Sequence, residues 1–180
     1  MHEKDRINRW QAGFVDVIHS DFNPLFSLGL TVPFGDIDFY PNSGTPQPGC
    51  IRDKVMKGIT EIKDEGPLVG LFQWARYTLF CSHYRSHEWF FESVRNKECK
   101  FVAVRCPSYE MYVSGECGCD TSPHSCAIMG LEADEVISSG LTKYTPQGQW
   151  FIKTTDYNRE TGKHCGKLKS NILFGAKVIK

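Results

Sequence analysis

The chain has 180 residues, and its 21 Lys and Arg residues are balanced by 21 Asp and Glu residues, so the formal net charge is zero. A neutral chain lacks the basic surface that nucleic-acid binding requires, which excludes nucleic acid as an expected partner. Hydrophobic residues make up 41% of the sequence and charged residues 23%, a globular composition that argues against intrinsic disorder. The length predicts one domain. No apolar run approaches the roughly 20 residues that span a bilayer, so we predict no transmembrane segment.

Cysteine usage points to an oxidising compartment. The sequence contains eight cysteines, an even number that is typical of disulfide bonds in a secreted protein. Residues 1–11, in contrast, are charged and lack the apolar core of a signal peptide. We therefore expect an extracellular protein whose leader lies in a further N-terminal portion.

The first predicted element is a strand over residues 13–20, whose apolar and β-branched residues bring His19 and Ser20 to its carboxyl end. Residues 21–50 are rich in Gly, Pro, Asn and Asp and predict a long irregular surface loop. Loops of that length are usually functional.

Helical spacing follows. One apolar face is formed by Ile51, Val55, Ile59 and Ile62. Residues 66 and 67 are Gly and Pro, which end this helix. A second helical pattern runs through Leu68, Leu71, Phe72, Ala75 and Leu79. The spacing of Trp89, Phe90 and Val94 predicts a further helix that starts near His83.

The last predicted elements are short. Residues 101–104 (FVAV) predict a buried strand, and the four cysteines of residues 106–126 predict a disulfide-linked loop. Residues 149–155 alternate apolar and polar side chains, which predicts an exposed edge strand.

His83 is the first candidate for chemistry. It follows Cys81 and Ser82 and precedes a predicted helix, so its backbone is fixed while its ring stays accessible, which suits a general base. The competing interpretation is structural, as for most single histidines. For the other candidates we expect a structural hydrogen bond at His19 and a solvated helix position at His87.

Three blocks define a resemblance: FVDVIHS at residues 14–20, DFYPNSGTPQPGC at 38–50 and CSHYRS at 81–86. In this order and spacing they resemble the animal pancreatic-lipase family, which includes triacylglycerol lipases, lipoprotein-type lipases and arthropod phospholipases A1. The resemblance implies an α/β fold, the C-terminal portion of an α/β-hydrolase with disulfide-linked loops, as one partial lipase domain over residues 1–180. It places His83 at the catalytic histidine of a Ser-Asp-His triad.

The serine and the acid of that triad are not recognisable in the sequence. Such triads run Ser, Asp, His along the chain, so both should precede His83. No GxSxG motif occurs, and the nearest string, around Ser27, has Leu25 in place of the first Gly. Asp16 and Asp38 are the alternative acids, although such aspartates more often hold backbone groups.

The resemblance also implies a lid over residues 51–80, closed into a loop by a Cys50–Cys81 disulfide. Two amphipathic helices can cover a site in water and turn their apolar faces toward a lipid surface. The alternative is that the apolar residues of this segment pack on the core.

Further disulfide pairs implied by the family are Cys106–Cys117 and Cys119–Cys126, which leaves Cys99 and Cys165 over. A zinc site is the rival interpretation for the cluster of Cys117, Cys119, His124 and Cys126. The family also has a calcium site, and an ungapped match places its residues at Glu3, Arg6, Asn8 and Gln11. Amides stand there in place of two acids, so calcium is doubtful, and we expect no other cofactor.

These features lead to two hypotheses on function. The first is a secreted lipid carboxylic-ester hydrolase, a lipase or phospholipase A1, that acts on lipid at a lipid–water interface with His83 as general base. Because this chain shows only the histidine of the triad, we expect the chain alone to be inactive. The second is a non-catalytic lipase-like protein, lipid-binding or of the yolk type. A small disulfide-rich extracellular module is a weaker third interpretation, and no oligomeric state is predicted.

Overall fold

A computed structural model describes residues 7–22, 29–45, 47–50, 67–96, 100–119, 125–138, 140 and 148–155, with the backbone alone for 73–79. Its elements are β1 (Asp16–Ile18), β2 (Ile37–Pro41), α1 (Pro67–Arg95), β3 (Phe101–Cys106), α2 (Tyr109–Ser114), β4 (Cys126–Met129), α3 (Glu135–Ser138) and β5 (Gln149–Ile152). The five strands form one mixed sheet in the order β1-β2-β5-β3-β4.

The sheet divides into a parallel half and an antiparallel half. β1, β2 and β5 run parallel to one another. β3 runs antiparallel to both of its neighbours, β5 and β4. The carboxyl ends of β1, β2 and β5 therefore lie at the same edge of the sheet.

Two sequence-based predictions about strands are wrong. The segment predicted as surface loop contains β2, all five residues of which are buried, and the predicted edge strand, β5, lies in the middle of the sheet. Both contain consecutive large apolar residues, Phe39 with Tyr40 and Trp150 with Phe151. Strands buried on both faces show such runs rather than alternation.

The two faces of the sheet have different cores. One face is covered by Trp89 of α1 and by α3, and its members are Ile37, Phe39, Phe101, Ala103, Ala127, Met129, Ala133, Val136, Trp150 and Ile152. The opposite face holds a smaller cluster of Tyr40, Cys106 and Phe151, covered by residues of α2. Alternation along β2 thus places Ile37 and Phe39 against α1, and Asp38 and Tyr40 on the other face.

The long helix α1 corrects another prediction. The sequence pattern placed a helix start near His83, but α1 runs without interruption from Pro67 to Arg95, so His83 lies in its interior. No Gly or Pro occurs between Leu71 and Arg95 to break it. The first predicted helix, at residues 51–62, lies outside the described residues.

The cysteine-rich segment is also more ordered than predicted. It contains α2, which begins after Ser108, whose hydroxyl accepts a hydrogen bond from the Met111 amide, and ends at Gly115 with φ 83°. Ser before a helix and Gly after it are strong capping signals. The disulfides Cys106–Cys117 and Cys119–Cys126 lie at the ends of this segment.

Candidate active site

The candidate site lies where the three parallel strands end. Ser20 follows β1, Asn42 follows β2, and Thr154 follows β5. Asn42 joins two of these ends, since its Nδ2 donates to the Thr154 hydroxyl at 2.7 Å and the Thr154 amide donates to its Oδ1 at 3.2 Å. In α/β sheets, the carboxyl ends of parallel strands are the usual position of ligand and catalytic sites.

Helix α1 is attached to this edge at two adjacent residues. The backbone N–H of Gln47 donates to the Ser82 hydroxyl at 3.1 Å. Cys81 forms a disulfide with Cys50, with 5.7 Å between the Cα atoms. The two links fix the middle of α1, immediately before His83, to the loop that leaves β2.

His83 is half-buried, between the buried Ser82 and the exposed Tyr84. Its backbone carbonyl accepts a hydrogen bond from the Ser86 hydroxyl at 2.9 Å, a bond within the helix. Among the described residues, no carboxylate forms an ion pair with its ring. An accessible imidazole on a fixed backbone is able to accept and return a proton.

Asp38 serves His19 rather than His83. The His19 Nε2 lies 2.8 Å from Asp38 Oδ1, and both side chains are buried. The same carboxylate accepts the backbone N–H groups of Phe34 and Gly35, each at 3.1 Å. This confirms the structural hydrogen bonding expected of His19 and removes Asp38 from the candidate acids.

The second nitrogen of His19 is also engaged. Its Nδ1 lies 2.5 Å from the Leu30 carbonyl oxygen. The ring stacks on Tyr40 with centroids 4.3 Å apart, and the Tyr40 hydroxyl donates to the Thr31 carbonyl at 2.9 Å. His19, Asp38 and Tyr40 together hold residues 30–35 against the sheet. Burial raises the pKa of Tyr40, and the charge of Asp38 adds to this effect.

Asp16 lies at the start of β1, at the opposite end of that strand from Ser20, and is exposed. Partial desolvation, with a smaller contribution from the charge of Asp134, raises the pKa of Asp16. His87 is exposed on α1, as predicted, with its ring 6.3 Å from that of Tyr84. Ser27 lies outside the described residues.

Three polar residues near His83 were not singled out from the sequence. Asn42 and Gln47 belong to the block DFYPNSGTPQPGC, and that block is the signal for them. Arg85, in CSHYRS, is buried, and its Nη1 lies 2.6 Å from Glu88 Oε2 while its Nη2 approaches the Pro48 carbonyl at 3.5 Å. Hydrophobic periodicity does not predict that an arginine is buried, so the burial of Arg85 is seen only from its contact with the loop.

The beginning of α1 exposes large apolar side chains. Leu68 is 83% exposed and Phe72 is 69% exposed, and Val69 and Leu71 are exposed as well. With 1.5 Å of rise per residue, Leu68 and His83 lie about 22 Å apart along the helix. One continuous helix therefore joins this apolar end to the candidate base. Among the described residues, no helix is apolar enough over a sufficient length to cross a bilayer.

The metal hypotheses find little support in the described part of the chain. Asn8 Oδ1 accepts the Trp10 amide and Gln11 Oε1 accepts the Asn8 amide, both at 3.0 Å. These neutral oxygens serve a local turn, and a hard cation prefers anionic ones, so the described residues do not fit calcium. Glu3 and Arg6 lie outside the described residues. The zinc interpretation is wrong for Cys117, Cys119 and Cys126, which form disulfides; His124, Cys99 and Cys165 are not among the described residues.

Comparison with known proteins decides the family. The model of the family named Lipase matches residues 1–159. The chain belongs to the Lipase family. This membership implies an α/β-hydrolase-type fold, and the three disulfides Cys50–Cys81, Cys106–Cys117 and Cys119–Cys126 are the pairs that the resemblance implied.

The Lipase-family relatives include a protein named as a triacylglycerol lipase and proteins named as inactive. The chain is 36% identical over 157 residues to pancreatic lipase-related protein 2 of Bos taurus, a match that covers 85% of this chain and 30% of the relative. It is 32% identical over 155 residues to pancreatic triacylglycerol lipase of Cavia porcellus, covering 84% of the chain and 30% of the relative. It is 34% identical over 155 residues to inactive pancreatic lipase-related protein 1 of Homo sapiens, covering 84% and 31%. The chain thus spans about 30% of the length of these relatives.

Proposed function

We propose that this chain supplies the general base, His83, of an extracellular lipid carboxylic-ester hydrolase of the lipase or phospholipase A1 type. The observation that carries this proposal is the position of His83, one residue after Ser82, which is bonded to the loop at the carboxyl ends of the parallel strands. Ester-hydrolase triads converge at that edge of an α/β sheet.

The role of His83 follows from the chemistry of such triads. Its imidazole accepts the proton of a serine hydroxyl as that oxygen attacks the ester carbonyl, and it returns the proton to the departing alcohol oxygen. Water then attacks the acyl-enzyme with the same ring as base. The 180 residues contain no GxSxG serine, so we expect no ester hydrolysis from this chain alone, because a base without nucleophile and oxyanion hole stabilises little of the transition state.

The exposed apolar end of α1 supports a lipid substrate. Leu68, Val69, Leu71 and Phe72 form part of the segment proposed as the lid, and exposed apolar side chains of this kind bind a lipid–water interface. The three disulfides favour an extracellular location, since such bonds persist in oxidising compartments.

The test begins with the complete transcript that contains these residues. Its product is assayed for hydrolysis of a short-chain ester, with His83→Ala as the test variant and His87→Ala as the matched control, one helical turn away and exposed. We expect His83→Ala to lower kcat by about a thousandfold or more and His87→Ala to leave it unchanged. Equal activity of the His83→Ala variant, or a transcript that encodes no nucleophilic serine, overturns the proposal.

The second candidate function is non-catalytic lipid binding. It is favoured by one observation, the 34% identity to a relative that is named inactive. A transcript product that binds lipid vesicles and hydrolyses no ester supports this alternative. Loss of vesicle binding in a Leu68→Ser, Phe72→Ser variant assigns the binding to the start of α1.

A further inference from the structure

Gln47 has hydrogen-bond partners at both polar atoms of its side chain. It is buried, with 2% of its surface exposed. Its Nε2 lies within hydrogen-bond distance of three backbone carbonyl oxygens, those of Ser20 (3.1 Å), Pro41 (3.0 Å) and Thr45 (2.6 Å). Its Oε1 accepts from Asn42 Nδ2 at 2.8 Å. Every polar atom of this side chain therefore has a partner.

These contacts join the ends of three strands. Ser20 follows β1, Pro41 ends β2, and Asn42 extends the network to Thr154, which follows β5. Asn42 adopts a left-handed backbone conformation with φ 51°, which is uncommon outside glycine and is tolerated best by Asn and Asp. The turn after β2 is thus shaped so that the Asn42 amide bridges Gln47 and Thr154.

The backbone of Gln47 faces the other way, toward α1. Its N–H donates to the Ser82 hydroxyl, and its carbonyl accepts the N–H of Cys50 at 3.2 Å. Cys50 in turn forms the disulfide with Cys81. One residue therefore connects the strand ends, through its side chain, with the residue that precedes His83, through its backbone.

We infer that Gln47 is a positioning residue for His83: it transmits the position of the strand ends to the helix turn that carries the base. This inference rests on the proposed function for one point, the role of His83 as the base. A base displaced by about 1 Å loses on the order of a hundredfold in rate, so a buried amide at this junction has a larger effect on catalysis than on lipid binding.

Two substitutions separate positioning from stability. Gln47→Met keeps the length of the side chain and removes its hydrogen bonds. Trp89→Phe is the matched control, because Trp89 lies buried on the same helix in the main core, away from the Gln47 contacts. Gln47→Glu keeps the shape, and its carboxyl group donates a hydrogen bond only when protonated. The ionised form faces three carbonyl oxygens, so the effect of Gln47→Glu should increase as the pH rises.

The first measurement is amide hydrogen exchange of the 180-residue chain, read by mass spectrometry over residues 80–90 and, as internal control, over β3. We expect Gln47→Met to accelerate exchange around His83 by about tenfold or more and to leave β3 unchanged, with Gln47→Glu intermediate at acid pH. Trp89→Phe should change both segments together. Unchanged exchange at residues 80–90 in Gln47→Met overturns the inference whether or not the protein is a hydrolase.

The second measurement is ester hydrolysis by the complete transcript product. We expect Gln47→Met to lower kcat by about a hundredfold while KM changes little. Trp89→Phe should keep the wild-type kcat when the assay temperature is well below the Tm of this variant. If His83→Ala has no effect in the same assay, the proposed function fails and the exchange result still decides the role of Gln47. If His83→Ala abolishes hydrolysis but Gln47→Met retains the wild-type kcat, the positioning role is wrong.

Discussion

His19 and His83 are held at the same edge of one sheet in opposite ways. Both nitrogens of His19 face acceptors, the Asp38 carboxylate and the Leu30 carbonyl, and the ring is buried against Tyr40. His83 is half-buried on α1, and its fixed part is the backbone, through Ser82 and Cys81. A buried ring with a protein acceptor at each nitrogen offers no nitrogen to a substrate, whereas an accessible ring on a fixed backbone does.

A close Asp–His pair is therefore not by itself a sign of a catalytic site. The 2.8 Å contact between His19 and Asp38 has the geometry of a catalytic pair. The other nitrogen of the same ring, however, faces the Leu30 carbonyl oxygen, so neither nitrogen is left for a substrate. Its function is to hold residues 30–35 against the sheet.

The largest expected effect is that of Asp38→Ala. It leaves the His19 ring and the amides of Phe34 and Gly35 without their acceptor in a buried site, which should lower the free energy of unfolding by about 5 kcal/mol. Urea denaturation is the measurement, and Asp16→Ala, in the neighbouring strand and exposed, is the control with a change below about 0.5 kcal/mol. Equal effects of the two substitutions would show that the pair is not what holds this region.

The next effect concerns the region of His83. Replacing both Cys50 and Cys81 by Ala removes a cross-link with a sequence separation of 31. Because the unfolded chain then gains entropy, the free energy of unfolding should fall by about 3.5 kcal/mol. The Cys119–Cys126 bond, with a separation of 7, is the control and should contribute about 2 kcal/mol. Thermal unfolding of the two double variants should show this order, and the reverse order would contradict the entropic explanation.

A smaller effect is expected from Tyr40→Phe, which removes the hydroxyl bond to Thr31 and should cost about 1 kcal/mol at neutral pH. Burial, with the charge of Asp38, raises the pKa of Tyr40 in the folded state. Because the pKa is raised, the folded state favours the protonated hydroxyl. The contribution of this hydroxyl to the free energy of unfolding is therefore full below the unfolded pKa of about 10 and is lost as the pH rises above that value. The Tm of Tyr40→Phe should therefore fall less steeply above pH 10 than the wild-type Tm, and parallel curves would contradict this assignment.

The smallest change in stability is expected for His83→Ala, within about 0.5 kcal/mol, although the same substitution should lower the kcat of the complete transcript product by about a thousandfold or more. Its ring forms no ion pair among the described residues, so its removal leaves no buried partner unsatisfied. Calorimetry of His83→Ala beside the ester assay checks both halves. A loss of several kcal/mol would make His83 a structural histidine like His19.

The sequence predicted where several elements lie along the chain better than it predicted their positions in the sheet. The strand near Val17, the strand that begins at Phe101 and the helical pattern through Trp89 were predicted because periodicity and apolar content are local. The central position of β5 and the existence of β2 within a turn-rich segment were missed, since Gly and Pro around Phe39 outweighed its apolar run. Strand order depends on pairing between distant segments, which no local pattern contains.

The three blocks at residues 14–20, 38–50 and 81–86 carry the family resemblance, and that resemblance implied the three disulfide pairs and His83 as the candidate base. The folded structure is needed to see that Asp38 binds His19, that His83 lies inside one continuous helix, and that Gln47 joins that helix to the strand ends. A hydrogen bond between residues as far apart as Gln47 and Ser82 exists only after the sheet and the helix have been brought together.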